Sequence, residues 1–256
     1  MAFEESHIDP STIRNRLLRA LPPNALEALL PHFEQVDLPL GATLIGQNQP
    51  ITTAYFPENS YASLLATLED RDVVEVGMIG HEGVVGLPLV FDTDRAPVEA
   101  MVQAAGSALA ISAGAFRALV EEIPSFRKIM LRYAMAFHMQ VTMTAACNSR
   151  HHVEQRLARW LLMAHDRSQG DTFPMTHEFL SMMLGVRRAG VTVAAGMLQK
   201  AGLINYAGGR ITIADRLGLE NAACECHAIV QKEFIKLTGI ASGAWDLVPF
   251  RTAPNS

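Results

Sequence analysis

The sequence predicts an α+β fold: a first half of short strands closed into a small sandwich or barrel-like structure, one long central helix, and a C-terminal helix-turn-helix with a hairpin wing. Three observations predict it. Short β-branched and apolar runs, separated by Gly, Pro, Asn and Asp, fill the first half. From Ser125 to Asn148 the chain has no Gly or Pro, and its apolar residues recur every three or four positions. Further on, two short helical patterns meet at Gly185 and a glycine-tipped strand pair follows.

Taken in order, Ser11–Leu18 and Asn24–Pro31 read as short helices, the second preceded by Pro22 and Pro23 with Asn24 as its N-cap. Strands follow at Val36–Ile45, Thr53–Phe56, Ser60–Leu68, Val73–Ile79 and Met101–Ile111, with turns at Gly41, Pro50, Pro57-Glu58-Asn59 and Asp70-Arg71-Asp72. Ala115–Glu121 forms a short helix before Pro124.

The central helix carries two adjacent apolar stripes. Phe126, Ile129, Tyr133, Ala136, Gln140, Met143 and Cys147 make one; Met130, Phe137, Val141, Thr144 and Asn148 make the other. Packing on its own domain needs one stripe, so the second is expected to meet another subunit over a helix of about 35 Å. A helix buried wholly within one chain is the alternative.

In the last third, Val153, Leu157, Trp160, Leu161 and Ala164 form one buried face, with Glu154, Arg156 and Arg159 outside. Thr176 is an N-cap candidate with Glu178 in the favourable first turn. Phe179–Leu184 ends at Gly185, a left-handed C-cap. A second helix runs from about Arg187 to Ala201. Leu203–Tyr206 and Ile211–Ala214 then flank a Gly208-Gly209 turn, and Leu217–Thr238 closes as one helix.

Charge follows the same division. Residues 1–149 hold 9 Lys and Arg against 17 Asp and Glu, a net of −8, whereas 150–256 hold 12 against 9, a net of +3. No acidic residue lies between Phe179 and Ala214, a stretch containing Arg187, Arg188, Lys200 and Arg210. That points to an anionic partner at one end of the molecule. Small residues in the second helix (Ala189, Gly190, Ala194, Ala195, Gly196) permit close approach to a helix or a duplex. Arginines at its start can reach phosphates or pair with guanine.

These motifs resemble the Crp/Fnr superfamily of bacterial transcription regulators. The likeness runs from about Leu17 to Thr238 and rests on the strand series, the central helix, the segment Val153–Leu162 and the motif from Thr176 through Ile213. It implies a cyclic-nucleotide-binding-like β-roll over 17–121, a dimerisation helix over 122–148, a winged-helix DNA-binding domain over 149–238 and a tail over 239–256. It also implies a second helix lying in the major groove, with Arg188 in place of the family's base-reading arginine. Arg187, Thr192, Val193, Lys200 and Arg210 complete the expected DNA contacts. Departures are equally informative: Ala189 replaces a cytosine-reading carboxylate, and Val193 replaces a second arginine and suits a thymine methyl.

The sensor pocket has diverged further. Where cyclic-AMP binders of the family carry Gly-Glu, this chain has Gly86-Leu87; where they carry Arg-Ser, it has Val98-Glu99 before Ala100. A phosphate beside Glu99 is electrostatically costly, so cyclic-AMP control is not expected. An unidentified small-molecule or redox effector acting through the β-roll is the alternative.

Three cysteines cannot supply the four thiolates of an iron–sulfur cluster. Gly80-His81-Glu82-Gly83 lacks the second histidine of a zinc-protease motif. Cys224-Glu225-Cys226 on a helix would point its sulfurs to divergent faces, Cys147 reads as a quiet buried thiol, and His151-His152 as a solvated helix start. No metal or other cofactor and no catalysis are expected. The expected partners are double-stranded DNA, a second copy of the chain and RNA polymerase, without a membrane, in the cytoplasm.

Overall fold

The computed structural model describes residues 8–69 and 72–239. The expected tail beyond Gly239 lies outside the described residues, as do Asp70 and Arg71 of the expected turn. The chain opens with a 3-10 turn, Pro10–Thr12, then α1 (Arg16–Arg19) and α2 (Pro23–Leu29). The single helix expected over Ser11–Leu18 is interrupted because Asn15 is extended and spends its side-chain oxygen capping α1 at the Leu17 and Leu18 amides. Its amide nitrogen donates to the Pro57 and Gly83 carbonyls at 3.1 and 2.8 Å. Asn24 is not the N-cap of α2. Pro23 takes the first helical position, where its preset φ and missing N–H cost nothing.

Seven strands of the first half follow: β1 (Glu34–Leu38), β2 (Thr43–Ile45), β3 (Thr53–Pro57), β4 (Tyr61–Thr67), β5 (Val73–Ile79), β6 (Glu99–Ala104) and β7 (Gly106–Ser112). They form two sheets, β1-β7-β3 and β2-β6-β4-β5. The run expected over Met101–Ile111 is two strands, because the chain changes sheets at Ala105. Val36–Ile45 likewise divides around Gly41. Phe33, Phe56, Phe116 and Phe126 fill the core, with ring centroids 5.3–6.4 Å apart.

The helical part comprises α3 (Ala113–Glu122), α4 (Pro124–Arg150), α5 (Val153–His165), β8 (Thr172–Pro174), α6 (His177–Leu184) and α7 (Arg188–Lys200). It ends with β9 (Ile204–Ala207), β10 (Arg210–Ile213), α8 (Arg216–Ala222) and α9 (Cys226–Thr238). The closing helix expected over Leu217–Thr238 is therefore two. Ala223 is extended, at φ −74° and ψ 163°, and ends α8.

Contacts group the described residues into two units, one up to Leu64 with Ile79–Met135, the other Leu65–Met78 with everything from Ala136 onward. In the second unit, α5 is its buried centre. Arg156 and Arg159, expected outside, are 8% and 3% exposed. Arg156 Nε donates to Asn148 Oδ1 at 3.1 Å and its Nη2 to the Leu184 carbonyl; Arg159 Nη1 donates to Thr144 Oγ1 at 3.4 Å. Both guanidiniums reach along α5 to polar atoms that a helical-wheel reading does not show. Trp160 is fully buried and donates its indole N–H to Glu75 Oε1 at 2.9 Å.

α4 buries both of its stripes within the chain. Phe126, Ile129, Met130, Tyr133, Phe137, Gln140, Thr144 and Cys147 are all buried, and Val141 is half-buried. Gln140 exchanges two hydrogen bonds with the Met78 backbone, at 2.8 and 3.1 Å. Solvent meets a third stripe instead: Leu131, Met135, His138, Thr142 and Ala145.

Candidate nucleic-acid interface

Thr176 caps α6, its hydroxyl accepting from the Phe179 amide at 3.1 Å. Gly185 ends the helix at φ +58°, a conformation that favours glycine, and its α-carbon faces the Val74 side chain. Arg187 is extended and caps α7, so Arg188 is the first residue of that helix. Val191, Ala194, Ala195 and Leu198 turn inward and are buried. The opposite face of α7 is exposed: Ala189, Thr192, Val193, Gly196, Met197 and Lys200, with the two arginines at its N-terminal end. Val193 and Met197 are 64% and 53% exposed.

The three-stranded sheet β8-β10-β9 forms the wing, with Arg210 exposed beside its Gly208-Gly209 tip. Every expected DNA-contacting side chain is thus solvent-facing except for what neighbours claim. Arg188 Nε lies 3.9 Å from Glu178 Oε2, with both side chains at least 70% exposed, so the pair is readily exchanged for another anion.

A polar cluster beside α7 was not legible in the sequence. The His177 ring stacks on Tyr206 at 4.3 Å, and its Nδ1 is 3.0 Å from Thr192 Oγ1. The Thr192 hydroxyl donates to the Arg188 carbonyl at 3.1 Å, so it accepts from an Nδ1–H imidazole. Burial, with the nearby Arg188 charge, lowers the His177 pKa and favours that neutral form. The residues are 15 and 14 positions apart in the chain, which no local motif connects.

Behind the wing, Asp166 is buried and accepts from Arg216 Nη2 at 2.6 Å, with His227 Nε2 at 2.9 Å. Burial alone would raise this carboxyl, but the hydrogen bonds and charges of His227 and Arg216 outweigh it and hold Asp166 well below the usual carboxylate range.

In the first unit, Gly86 is buried with φ +114° and opens a 3-10 turn at the half-buried Leu87. Val98 and Glu99 are half-buried at the start of β6, where Glu99 Oε1 accepts from Thr43 Oγ1 at 3.0 Å.

Residues 155–222 match the family model of the Crp-like helix-turn-helix domain. That stretch, from within α5 to the end of α8, is a Crp-like helix-turn-helix domain. Among solved structures, FixK2 from Bradyrhizobium japonicum is similar at 15% identity and a TM-score of 0.64, covering 75% of this chain and 98% of its own. A putative Crp/Fnr-family transcriptional regulator from Eubacterium rectale gives 15% and 0.64, covering 80% and 96%. The c-di-GMP responsive global regulator CLP from Xanthomonas campestris gives 18% and 0.61, covering 75% and 99%. At these identities the likeness is one of fold. No curated protein matches the chain by sequence. No helix among the described residues is long and apolar enough to cross a membrane.

Proposed function

We propose that this Crp/Fnr chain is a homodimeric, sequence-specific DNA-binding transcription regulator. The observation that carries the reading is the outer face of α7: a smooth, acid-free helix surface with two arginines at its N-terminal end. Two such helices enter successive major grooves about 34 Å apart on a near-palindromic site. Arg188 reads a base, Arg187 and Thr192 lie beside it, and Val193 meets a thymine methyl. Lys200 and Arg210 hold phosphates. The second copy packs along the solvent-facing stripe of α4, where Leu131 is 39% and Met135 55% exposed, rather than on the stripes that α4 has already buried. RNA polymerase is the further partner that a regulator of this kind engages.

Cyclic AMP is not its effector, since Val98 stands where the family pattern calls for a phosphate-binding arginine and Glu99 beside it repels a phosphate. Binding-site selection followed by competition gel shifts tests the docking. Arg188→Ala is expected to cost about 1–3 kcal/mol at the selected site and to relax preference at one position. Unchanged preference overturns the assignment of α7 to the groove.

A further inference from the structure

The second unit contains a cluster that the DNA-binding reading does not use. Cys147 lies in the last turn of α4 and His151 just beyond it; Cys224 lies in the break between α8 and α9, and Cys226 opens α9. One ligand atom from each of the four residues lies within 4.8 Å of the other three. Cys147 Sγ is 3.4 Å from Cys224 Sγ, and His151 Nδ1 is 3.7 Å from Cys226 Sγ. All three thiols are buried.

We infer that Cys147, His151, Cys224 and Cys226 form a closed four-ligand site for one borderline-soft divalent ion, zinc foremost. Tetrahedral zinc–thiolate bonds of about 2.3 Å place two sulfurs about 3.8 Å apart, between the 3.4 Å of the Cys147–Cys224 pair and the 4.8 Å that bounds the four ligand atoms. Several irons would spread their thiolates more widely.

The expectation that Cys224 and Cys226 diverge assumed that both lie on a helix. Extended backbone at Ala223 ends α8 before them, and only Cys226 is helical, at the first position of α9. That break turns both sulfurs toward the end of α4.

Two surrounding groups fit an ion. His151 Nε2, the nitrogen turned away from the sulfurs, is 3.4 Å from Glu225 Oε2. A carboxylate behind a ligating imidazole fixes its tautomer and orientation. Arg159 is buried close enough for its charge to act on Cys147 and Cys226, and its Nε has no hydrogen-bond partner among the described residues. Three thiolates and a divalent ion carry a net charge of −1, the counter-charge this guanidinium lacks. With four protein ligands, the ion holds the end of α4 to the α8–α9 junction and leaves no open coordination position for catalysis. This inference is independent of the DNA-binding reading.

Metal analysis of the full chain, purified under reducing conditions without chelator, is expected to find one zinc per chain. Cobalt(II) loading of the full chain is expected to give the intense thiolate-to-cobalt absorption of a tetrahedral site. Cys147→Ser and Cys226→Ser are expected to lose it. Because those variants can also fail to fold, Glu225→Gln supplies a milder one: about ten- to a hundred-fold weaker metal binding with the circular dichroism unchanged. Three outcomes overturn the site: no metal retained or taken up by the reduced full chain, cobalt uptake equal in folded Cys147→Ser, or a Cys147–Cys224 disulfide in a chain that binds no metal once reduced.

Discussion

The outer face of α7 and the cysteine cluster belong to the same unit, yet they are built on opposite plans. The α7 face is written in one continuous segment, from Thr176 to Lys200, and its side chains point to solvent. The cluster joins residues 77 positions apart in the chain, and its three thiols are buried. A face of the first kind depends on local rules of capping, turn and period. The second kind depends on where two elements end, and a helix boundary misplaced by a few residues hides it.

If that contrast is right, the buried interior should respond to substitution far more strongly than the exposed face. The largest effect is expected at Asp166. Asp166→Ala leaves His227 and Arg216 without their anion and should cost about 3 kcal/mol, toward the lower end for a broken buried pair because Arg216 keeps Glu220 and a third of its side chain in solvent. Chemical denaturation measures it. Since the folded carboxyl is held below its unfolded value, the stabilisation is complete above about pH 5 and is lost progressively as pH falls further. The variant should therefore show a flatter acid limb; equal acid sensitivity would break the claim.

A smaller loss is expected for Gly185→Ala. A side chain at φ +58° is strained, and the new Cβ would press on Val74, for a cost of about 1–2 kcal/mol by thermal melting. The smallest effect is expected at the wing. Arg210→Ala should leave stability unchanged, weaken DNA binding at every sequence alike and reduce the salt slope by about 1. A sequence-selective loss would move Arg210 from phosphate to base.

What the sequence revealed divides along the same line. Thr176 and Gly185 mark their helix ends because a cap oxygen or a left-handed glycine acts on its immediate neighbours. Val73–Ile79 stands as predicted, bounded by its own turn residues. Arg156 and Arg159 were misplaced because helix periodicity assigns charge to solvent, whereas these two guanidiniums find Asn148, Leu184 and Thr144 only after folding. The closing helix was read through Ala223 because alanine favours helix, and nothing local announces the break. The two stripes of α4 were correctly apolar, but periodicity cannot say which partner covers them; Met78 and Gly77 lie on β5, more than 50 residues earlier.

Between the arginines at its start and Lys200 at its end, Val193 and Met197 project from a stretch of the α7 face that otherwise offers alanine, glycine and one hydroxyl already engaged with His177. Such a face has few lettered hydrogen bonds to give. Docked on DNA, that stretch would recognise its site chiefly by contour and by methyl groups, so beyond the base that Arg188 reads its operators should tolerate substitutions that keep groove width and punish those that alter it.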